Sequence, residues 1–518
     1  MFDRRRKLWG WGFEDQQLPF EEVEQAARGA REHLGFEPAE VERPPRLEDV
    51  ELPPARIEPP ASLAEICSSD PYDRATHAYG KAYRDLVRAL RGRFDHPPDV
   101  VARPRDEREV EQVLAWCADA GAAAIPYGGG TSVVGGVEPR VPQGAAVTVD
   151  LGRLDRVLDV DPVSRAARIQ AGATGPGLEE QLKQHGLTLR HYPQSFEYST
   201  LGGWIATRAG GHFATLQTHV DDFVESVRAL TPAGAWESRR LPGSGAGPSP
   251  DRMLIGSEGI LGVITEAWVR VQEAPRFKES AAVLFDSFAA GAAAVRALTQ
   301  TRLYPTNCRL LDPGEAALTS AAPDGKALLV LGFEGHDDVS AQLAQALALC
   351  SDAGGRAREK RGESEGAWRD AFLQAPYLRD TLIAGGILAE TFETAITWDR
   401  FDVFVAGVRE RAEAALGADG RVTVRITHAY PDGAAPYFTV LAPAQRGSEL
   451  EQWDEIKAAA SEAIEAAGGT ITHHHAVGRD HRPWYDRQRP DRFADALRAA
   501  KAAVDPQGIL NPGVLIDP

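Results

Sequence analysis

Seven residues constrain this chain more than any others. Pro126, Tyr127, Gly128, Gly129, Gly130, Thr131 and Ser132 follow directly on the short apolar run Ala122–Ile125. The run reads as a buried strand, so the glycines stand where a strand gives way to a loop. Three consecutive residues without a Cβ let the backbone approach a ligand closely. Their successive N–H groups can form a concave nest for an anion, and Thr131 and Ser132 add hydroxyl donors. That combination suits a pyrophosphate. No Gly-Lys-Ser/Thr follows, so this is not a Walker loop, and the spacing does not fit the dinucleotide fingerprint. A surface turn would use the same residues, so the loop alone does not decide between the two.

Two further clusters change the balance. One comprises Pro193, Gln194, Ser195, Phe196, Glu197, Tyr198, Ser199, Thr200, Leu201, Gly202, Gly203, Trp204, Ile205, Ala206 and Thr207, continuing into Arg208 and Ala209. The other comprises Gly256, Ser257, Glu258, Gly259, Ile260, Leu261, Gly262, Val263, Ile264 and Thr265. Both mix small residues and hydroxyls with apolar flanks, which suits backbone packed around a large flat cofactor. Three such segments in order are hard to assign to turn chemistry alone.

The 518 residues exceed what one core organises, so two or three lobes are expected. Residues 1–96 are broken by Pro44-Pro45, Pro53-Pro54 and Pro59-Pro60 and read as an arm with helices, wrapping a later domain. Residues 97–273 alternate helix and strand. Val110, Val113, Leu114 and Cys117 recur at helical spacing before Gly121, and Ala145–Leu151 and Ala166–Ala171 read as strands. Residues 274–490 form a second region with a strand at Ala327–Phe333 and an amphipathic helix over Glu449–Ala467. Leu450, Trp453, Ile456, Ala460 and Ile464 mark that helix's buried face. Gly468-Gly469 ends it, and Thr470–Ala476 reads as a strand. Residues 491–518 hold a last helix, Phe493–Val504, and a turn-rich tail. The fold class is α+β.

Net charge of −18 opposes a nucleic-acid role. Cys67, Cys117, Cys308 and Cys350 are widely spaced with no CxxC pair, so neither disulfides nor a thiolate metal site is expected, and a reducing compartment fits. Glu14 and Asp15 stand where the apolar part of a signal peptide would begin, and no run is long enough to span a bilayer. A cytoplasmic location is expected. Trp9, Trp11 and Phe13, beside the basic Arg4–Lys7, read as an anchoring arm. Peripheral membrane contact is the alternative.

Two groups of residues invite chemistry. His473, His474 and His475 are consecutive and internal; on a strand, His473 and His475 would face one side and His474 the other. Neighbours so arranged do not converge on one ion, so a metal site would need partners elsewhere. Imidazole titrates near neutrality and suits a general base. Arg309, Arg379 and Arg425 form the second group, with Tyr377 and Tyr437 nearby in sequence. The planar guanidinium fork fits phosphate and carboxylate alike, and a surface ion pair is the plainer alternative for each.

The three glycine-bearing segments resemble the FAD-binding domain of the vanillyl-alcohol oxidase, or PCMH-type, flavoprotein family. Within it the chain resembles the alkyldihydroxyacetonephosphate synthase branch, from Lys7-Leu8-Trp9-Gly10-Trp11-Gly12 to Asp505-Pro506. The resemblance implies FAD, held non-covalently, with contacts across Pro126–Ser132, Gln194–Thr200, Ala206–Ala209 and Glu258–Ile264. It implies a PCMH-type domain followed by a cap domain with an antiparallel sheet. It implies His474, flanked by His473 and His475, as a base near the flavin, Tyr437 as a catalytic tyrosine and Arg309 as needed for activity. Arg379 would bind the substrate phosphate, with Arg425 also assigned to substrate. The implied reaction exchanges the acyl group of acyl-dihydroxyacetone phosphate for a long-chain alcohol, with no net redox at the flavin. Pro431-Asp432 and the basic spacing after the triplet differ from that branch. An FAD-linked oxidase or dehydrogenase of a hydroxy acid or alcohol is therefore the second reading, and a non-catalytic flavoprotein partner the third. The His-x-Gly-Asp-Gly-Asn-x-His metal pattern of a related branch is broken at Ala429–Tyr437, so no metal is expected. A homodimer is common among similar enzymes.

Overall fold

The computed structural model describes residues 4–141, 144–319, 325–358 and 376–517. Four sheets organise it. A four-stranded sheet runs in the order Cys67–Ser68, Val100–Ala102, Ala146–Asp150, Ala123–Tyr127, the last three strands parallel. A five-stranded antiparallel sheet has the order Val157–Asp161, Ala166–Gln170, Val263–Arg270, Val224–Thr231, Gly234–Glu237. Both sheets share one apolar core with the helix Glu107–Ala120, whose Asp106 side chain caps its start and whose chain turns left-handed at Gly121. A two-stranded sheet joins Leu187–Thr188 to Gln272–Glu273. The eight-stranded sheet of the second region is antiparallel. Its central order is Ala327–Gly335, Asn307–Leu311, Arg421–Ala429, Gly433–Pro443, Ile387–Glu393.

That last sheet shows why the second region works as a platform. Cys308 and Leu310, Val424 and Ile426, Phe438 and Val440, and Phe392 point to one face. There they pack with the helices Phe288–Thr299, Phe401–Leu416 and Glu449–Ala466. Because strand side chains alternate, Arg309, Arg425, Tyr437 and Glu393 stand on the opposite face. Register puts Glu393 beside Tyr437 and Tyr437 beside Arg425 across three adjacent strands.

The arm packs on the second region. Ala27, Tyr79, Tyr83 and Leu86 join its core, and Trp9 donates its indole N–H to the Leu86 carbonyl at 2.7 Å. Trp9, Trp11 and Phe13 are only 9%, 5% and 3% exposed, so these aromatics lie inside the fold. Among the described residues no helix is long and apolar enough to cross a membrane.

The last segment returns to the first core, where Leu497, Leu510 and Val514 are buried and Leu510 bridges to Ala124. Lys501 fastens it. Its ammonium donates to Asp505 Oδ2 at 2.8 Å, to the Ile260 carbonyl at 3.0 Å and to the Leu510 carbonyl at 2.9 Å. Asp505 also accepts the N–H groups of Ile509 and Leu510. Lys501→Met would leave that carboxylate buried and unpaired, and should cost about 3–5 kcal/mol in urea unfolding.

One reading is corrected. Thr470–Ala476 is not a strand but a bent loop. Its successive N–H groups, which a ladder would have used, are taken by the Glu393 carboxylate: His473 at 2.7 Å, His474 at 3.1 Å and His475 at 2.9 Å. The alternating-face argument for the triplet therefore does not apply.

Candidate active site

The three glycine-bearing segments meet. A Cβ on Gly128 would lie 2.2 Å from Thr200 Oγ1, one on Gly129 1.8 Å from the Tyr198 carbonyl oxygen, and one on Gly259 2.9 Å from Pro126 Cγ. Thr200 caps the helix Leu201–Thr207, accepting from the Gly203 N–H at 3.3 Å. Gly256 and Glu258 donate their N–H groups to the carbonyls of Ile205 and Ala206. The Ser257 hydroxyl is buried with no partner. A backbone cradle that only glycine fits, with an orphaned hydroxyl in one of its segments, suits a flat anionic cofactor such as FAD.

Not every residue of these segments turns inward. Ile260, Leu261 and Val263 are in the apolar core, beneath the cradle. Arg208, left-handed at φ 52°, pairs with Asp221 at 3.1 Å. Tyr198 packs against Trp11 and Phe13, and its hydroxyl meets that of Tyr377. Ser132 Oγ accepts from the Gly136 N–H at 3.1 Å, which shapes its own loop. Glu258 is buried and accepts the N–H groups of Val477 and Gly478 at 2.9 and 2.8 Å, tying the third segment to the chain after the histidines. Burial pushes its carboxyl up to about 7.

The histidines lie where the two regions touch. A Cβ on Gly210 would be 3.0 Å from His474 Cβ and 3.4 Å from His428 Cε1. His428 Nε2 lies 3.0 Å from the Gly211 carbonyl, and His219 Nε2 lies 2.9 Å from that of His473. His473 Nδ1 is 3.1 Å from His474 Nδ1, and His473 Nε2 is 2.7 Å from the Tyr430 hydroxyl. That hydroxyl is 3.1 Å from Thr218 Oγ1. The ligand-type nitrogens of His428, His473 and His474 fall within 4.8 Å of one another, and hydrogen bonds engage all three rings. Burial lowers all three imidazoles of the triplet, His473 and His475 well below the usual range, so the neutral base form is favoured near pH 7.

Tyr437 faces the same space, its ring 6.1 Å from that of His474 and 5.5 Å from that of His475. Arg425 lies over the Tyr437 ring at 3.9 Å and forms an ion pair with Glu315. Arg425 thus has an internal partner of its own. Arg309 is fully buried and donates to the His212 carbonyl at 3.0 Å. Arg379 donates to the Lys81 carbonyl, while Lys81 N–H bonds Ser132 O at 2.6 Å behind the glycine loop. Arg6, Lys81, Arg379, Asp380 and Asp85 interact there, three cations to two carboxylates, and Asp380 accepts the Trp11 N–H at 2.6 Å. Burial pushes the Lys81 ammonium down to about 8 and the Asp380 carboxyl up to about 6. Positive charge exceeds negative in this spot, which favours an anion.

Glu393, His219, His428, Tyr430, Lys81 and the Gly210-Gly211 pair were not singled out in the sequence. The glycine pair next to Ala209 was the available signal. Glu393, ending a strand of apolar residues, was a weaker one.

Residues 98–238 match the family model described as FAD binding domain, and residues 274–515 that described as FAD linked oxidases, C-terminal domain. Alkyldihydroxyacetonephosphate synthase of Dictyostelium discoideum is 31% identical over 490 residues, covering 88% of this chain and 79% of that one. The synthase of Trypanosoma brucei brucei is 31% identical over 505 residues, covering 90% and 82%. Glycolate oxidase subunit GlcD of Bacillus subtilis is 26% identical over 430 residues, covering 81% and 89%. A solved alkyldihydroxyacetonephosphate synthase structure superposes with a TM-score of 0.81 at 26% identity, covering 98% of this chain and 97% of that one. p-Cresol methylhydroxylase, at 15% identity and a TM-score of 0.71 over 88% and 94% of the two chains, shares the fold.

Proposed function

Since the chain belongs to the alkyldihydroxyacetonephosphate synthase family of FAD-binding flavoenzymes, we propose that it replaces the acyl group of acyl-dihydroxyacetone phosphate with a long-chain alcohol, a step in making ether lipids. What supports this reading is His474 beside Tyr437, their rings 6.1 Å apart, and Arg379, which acts electrostatically on Tyr437 and donates to the Lys81 carbonyl next to the glycine loop. The bound flavin supplies an electron-poor ring that can take up electron density from a substrate carbon and return it without net oxidation. His474 removes a proton from the carbon bearing the acyloxy group; that group leaves as the fatty carboxylate, the alcohol oxygen bonds to the same carbon and gives up its hydroxyl proton, and His474 returns a proton to the carbon. Tyr437 assists that transfer; burial raises its phenol, so it stays protonated and can donate. Arg379, with Lys81 beside it, holds the phosphate and so fixes the carbon relative to His474. Arg425 lies against the Tyr437 ring and acts chiefly by positioning it.

Non-covalent attachment of FAD is part of this proposal. Burial pushes the thiols of Cys67, Cys117 and Cys350 up to about 11, 12 and 12, which argues against a cysteinyl link. The boundaries that go with it are an arm at 1–96, the FAD domain at 97–273, the cap at 274–490 and a returning segment at 491–518.

Incubating the holoenzyme with acyl-dihydroxyacetone phosphate and labelled fatty alcohol tests the reaction. Label should enter the ether product with no bleaching of the flavin. Anaerobic bleaching by a hydroxy acid, with no exchange, would establish the oxidase reading instead. Arg379→Ala should raise KM for the phosphate substrate about 10- to 100-fold with FAD retained. Unchanged KM would refute the phosphate assignment.

A further inference from the structure

We propose that Glu393 is a positioning residue that makes His474, among three consecutive histidines, the base, by holding its Nδ1 protonated and leaving the Nε2 lone pair for the substrate. The inference rests on the proposed function and names a group to which that reading gives no role.

The geometry is specific. One carboxylate, with its side chain fully enclosed, takes three consecutive backbone N–H groups at 2.7, 3.1 and 2.9 Å, together with the Thr472 hydroxyl at 2.5 Å. This inverts the usual anion nest, because the anion is the protein's own. The bends it forces in the loop bring His474 Nδ1 to 3.4 Å from Glu393 Oε2, whereas His475 Nδ1 stays 3.9 Å from Oε1. Burial alone would raise the Glu393 carboxyl, but three backbone N–H groups and the Thr472 hydroxyl donate to it and hold it below the ordinary range, so it is an anion.

The tautomers follow from the hydrogen bonds. With a carboxylate beside it, His474 Nδ1 carries the proton, and it can share that proton with His473 Nδ1 at 3.1 Å. His473 Nδ1 is then an acceptor, so its Nε2–H donates to the Tyr430 hydroxyl at 2.7 Å, which donates in turn to Thr218 Oγ1 at 3.1 Å. Every donor in this row has one acceptor, and His474 Nε2 is left as the lone pair. The second partner of a catalytic imidazole commonly sets its tautomer in this way.

Charge supports the same choice. The groups facing His474 from the cap sheet are Glu393, His428, Tyr437 and the cations Arg309 and Arg425; His219 faces it from the FAD domain, and His473 and His475 flank it. Arg309, Arg425 and His219 oppose a charged imidazole, and Glu393 favours one. The triplet's own members differ accordingly, with His473 and His475 well below the usual range and His474 lowered less.

The test compares Glu393→Gln and Glu393→Asp with the wild-type holoenzyme. Flavin content and unfolding midpoint are read first, then kcat and KM for exchange against pH. Loss of the anion should make imidazolium harder to form. The acid limb of kcat should therefore move about one pH unit lower in Glu393→Gln, with plateau kcat down about 10- to 100-fold and KM unchanged. Glu393→Asp should shift the limb less and recover part of kcat. If Glu393→Gln does not fold, the limb of Glu393→Asp decides. A limb that stays put while kcat falls with the folded fraction would reduce Glu393 to a structural role and overturn the proposal. If the wild type performs no exchange, the proposed function fails by itself. Nitrogen-15 histidine spectra of the holoenzyme, with His474 identified by its loss in His474→Gln, then still decide the tautomer. An Nε2–H form in the wild type would overturn the proposal.

Discussion

Gly129→Ala is expected to purify without its flavin. The new methyl group would stand 1.8 Å from the Tyr198 carbonyl oxygen, 2.6 Å from its carbon and 2.9 Å from Ser199 Cα. All three are backbone atoms of the neighbouring glycine-bearing segment, so no rotamer change relieves the clash. The two segments must separate, and both line the cradle. Overpacking of this kind costs about 3 kcal/mol or more, which weakens FAD binding about a hundredfold. The measurement is the ratio of flavin to protein absorbance after gel filtration, followed by FAD titration of the apo protein. Gly121→Ala is the control. It also replaces glycine in a left-handed position, φ +62°, but nothing lies within 4 Å of the new atom. It should cost about 1 kcal/mol of stability and leave the flavin in place. Equal flavin content in Gly129→Ala and wild type would mean that this loop is not the pyrophosphate cradle.

The parts of this molecule legible in the sequence are those set by local backbone rules. The run Gly128–Gly130 was legible as backbone able to approach closely, and in the structure a Cβ at Gly128 or Gly129 would fall within 2.2 Å of a neighbouring segment. Helical spacing before Gly121 pointed to the helix found at Glu107–Ala120, and the apolar spacing from Leu450 to Ile464 to the one found at Glu449–Ala466. The triplet was also visible, but its conformation was not. The groups that bend it belong to Glu393, 80 residues from His473 and on another strand. No local rule connects them. Arg425 illustrates the same limit from the other side. A lone arginine in a strand is compatible with a substrate, and only the fold reveals Glu315, 110 residues away, as its partner.

His474→Ala should abolish exchange while sparing almost everything else. The side chain contributes no ladder hydrogen bond, and its backbone N–H to Glu393 survives the substitution. Its ring is part of a polar cluster rather than of either apolar core, so folding and flavin content should change little. What disappears is the neutral nitrogen that accepts the substrate proton. General-base contributions are about a hundredfold to ten-thousandfold, and the lower end would apply if His475, 4.8 Å away ring to ring, could substitute. Burial holds His475 well below the usual imidazole range, and it stays farther from Glu393, so it is the poorer base. The expected loss in kcat is therefore about a thousandfold, with KM for acyl-dihydroxyacetone phosphate unchanged because Arg379 still holds the phosphate. Deuterium uptake from heavy water at the substrate carbon gives the same answer one step earlier. It should occur in wild type without added alcohol and vanish in His474→Ala, and added imidazole should restore part of it by occupying the space beside Gly210. If His474→Ala kept a tenth or more of kcat, or took up deuterium at the wild-type rate, the base would have to be sought elsewhere in the cluster, first at His475.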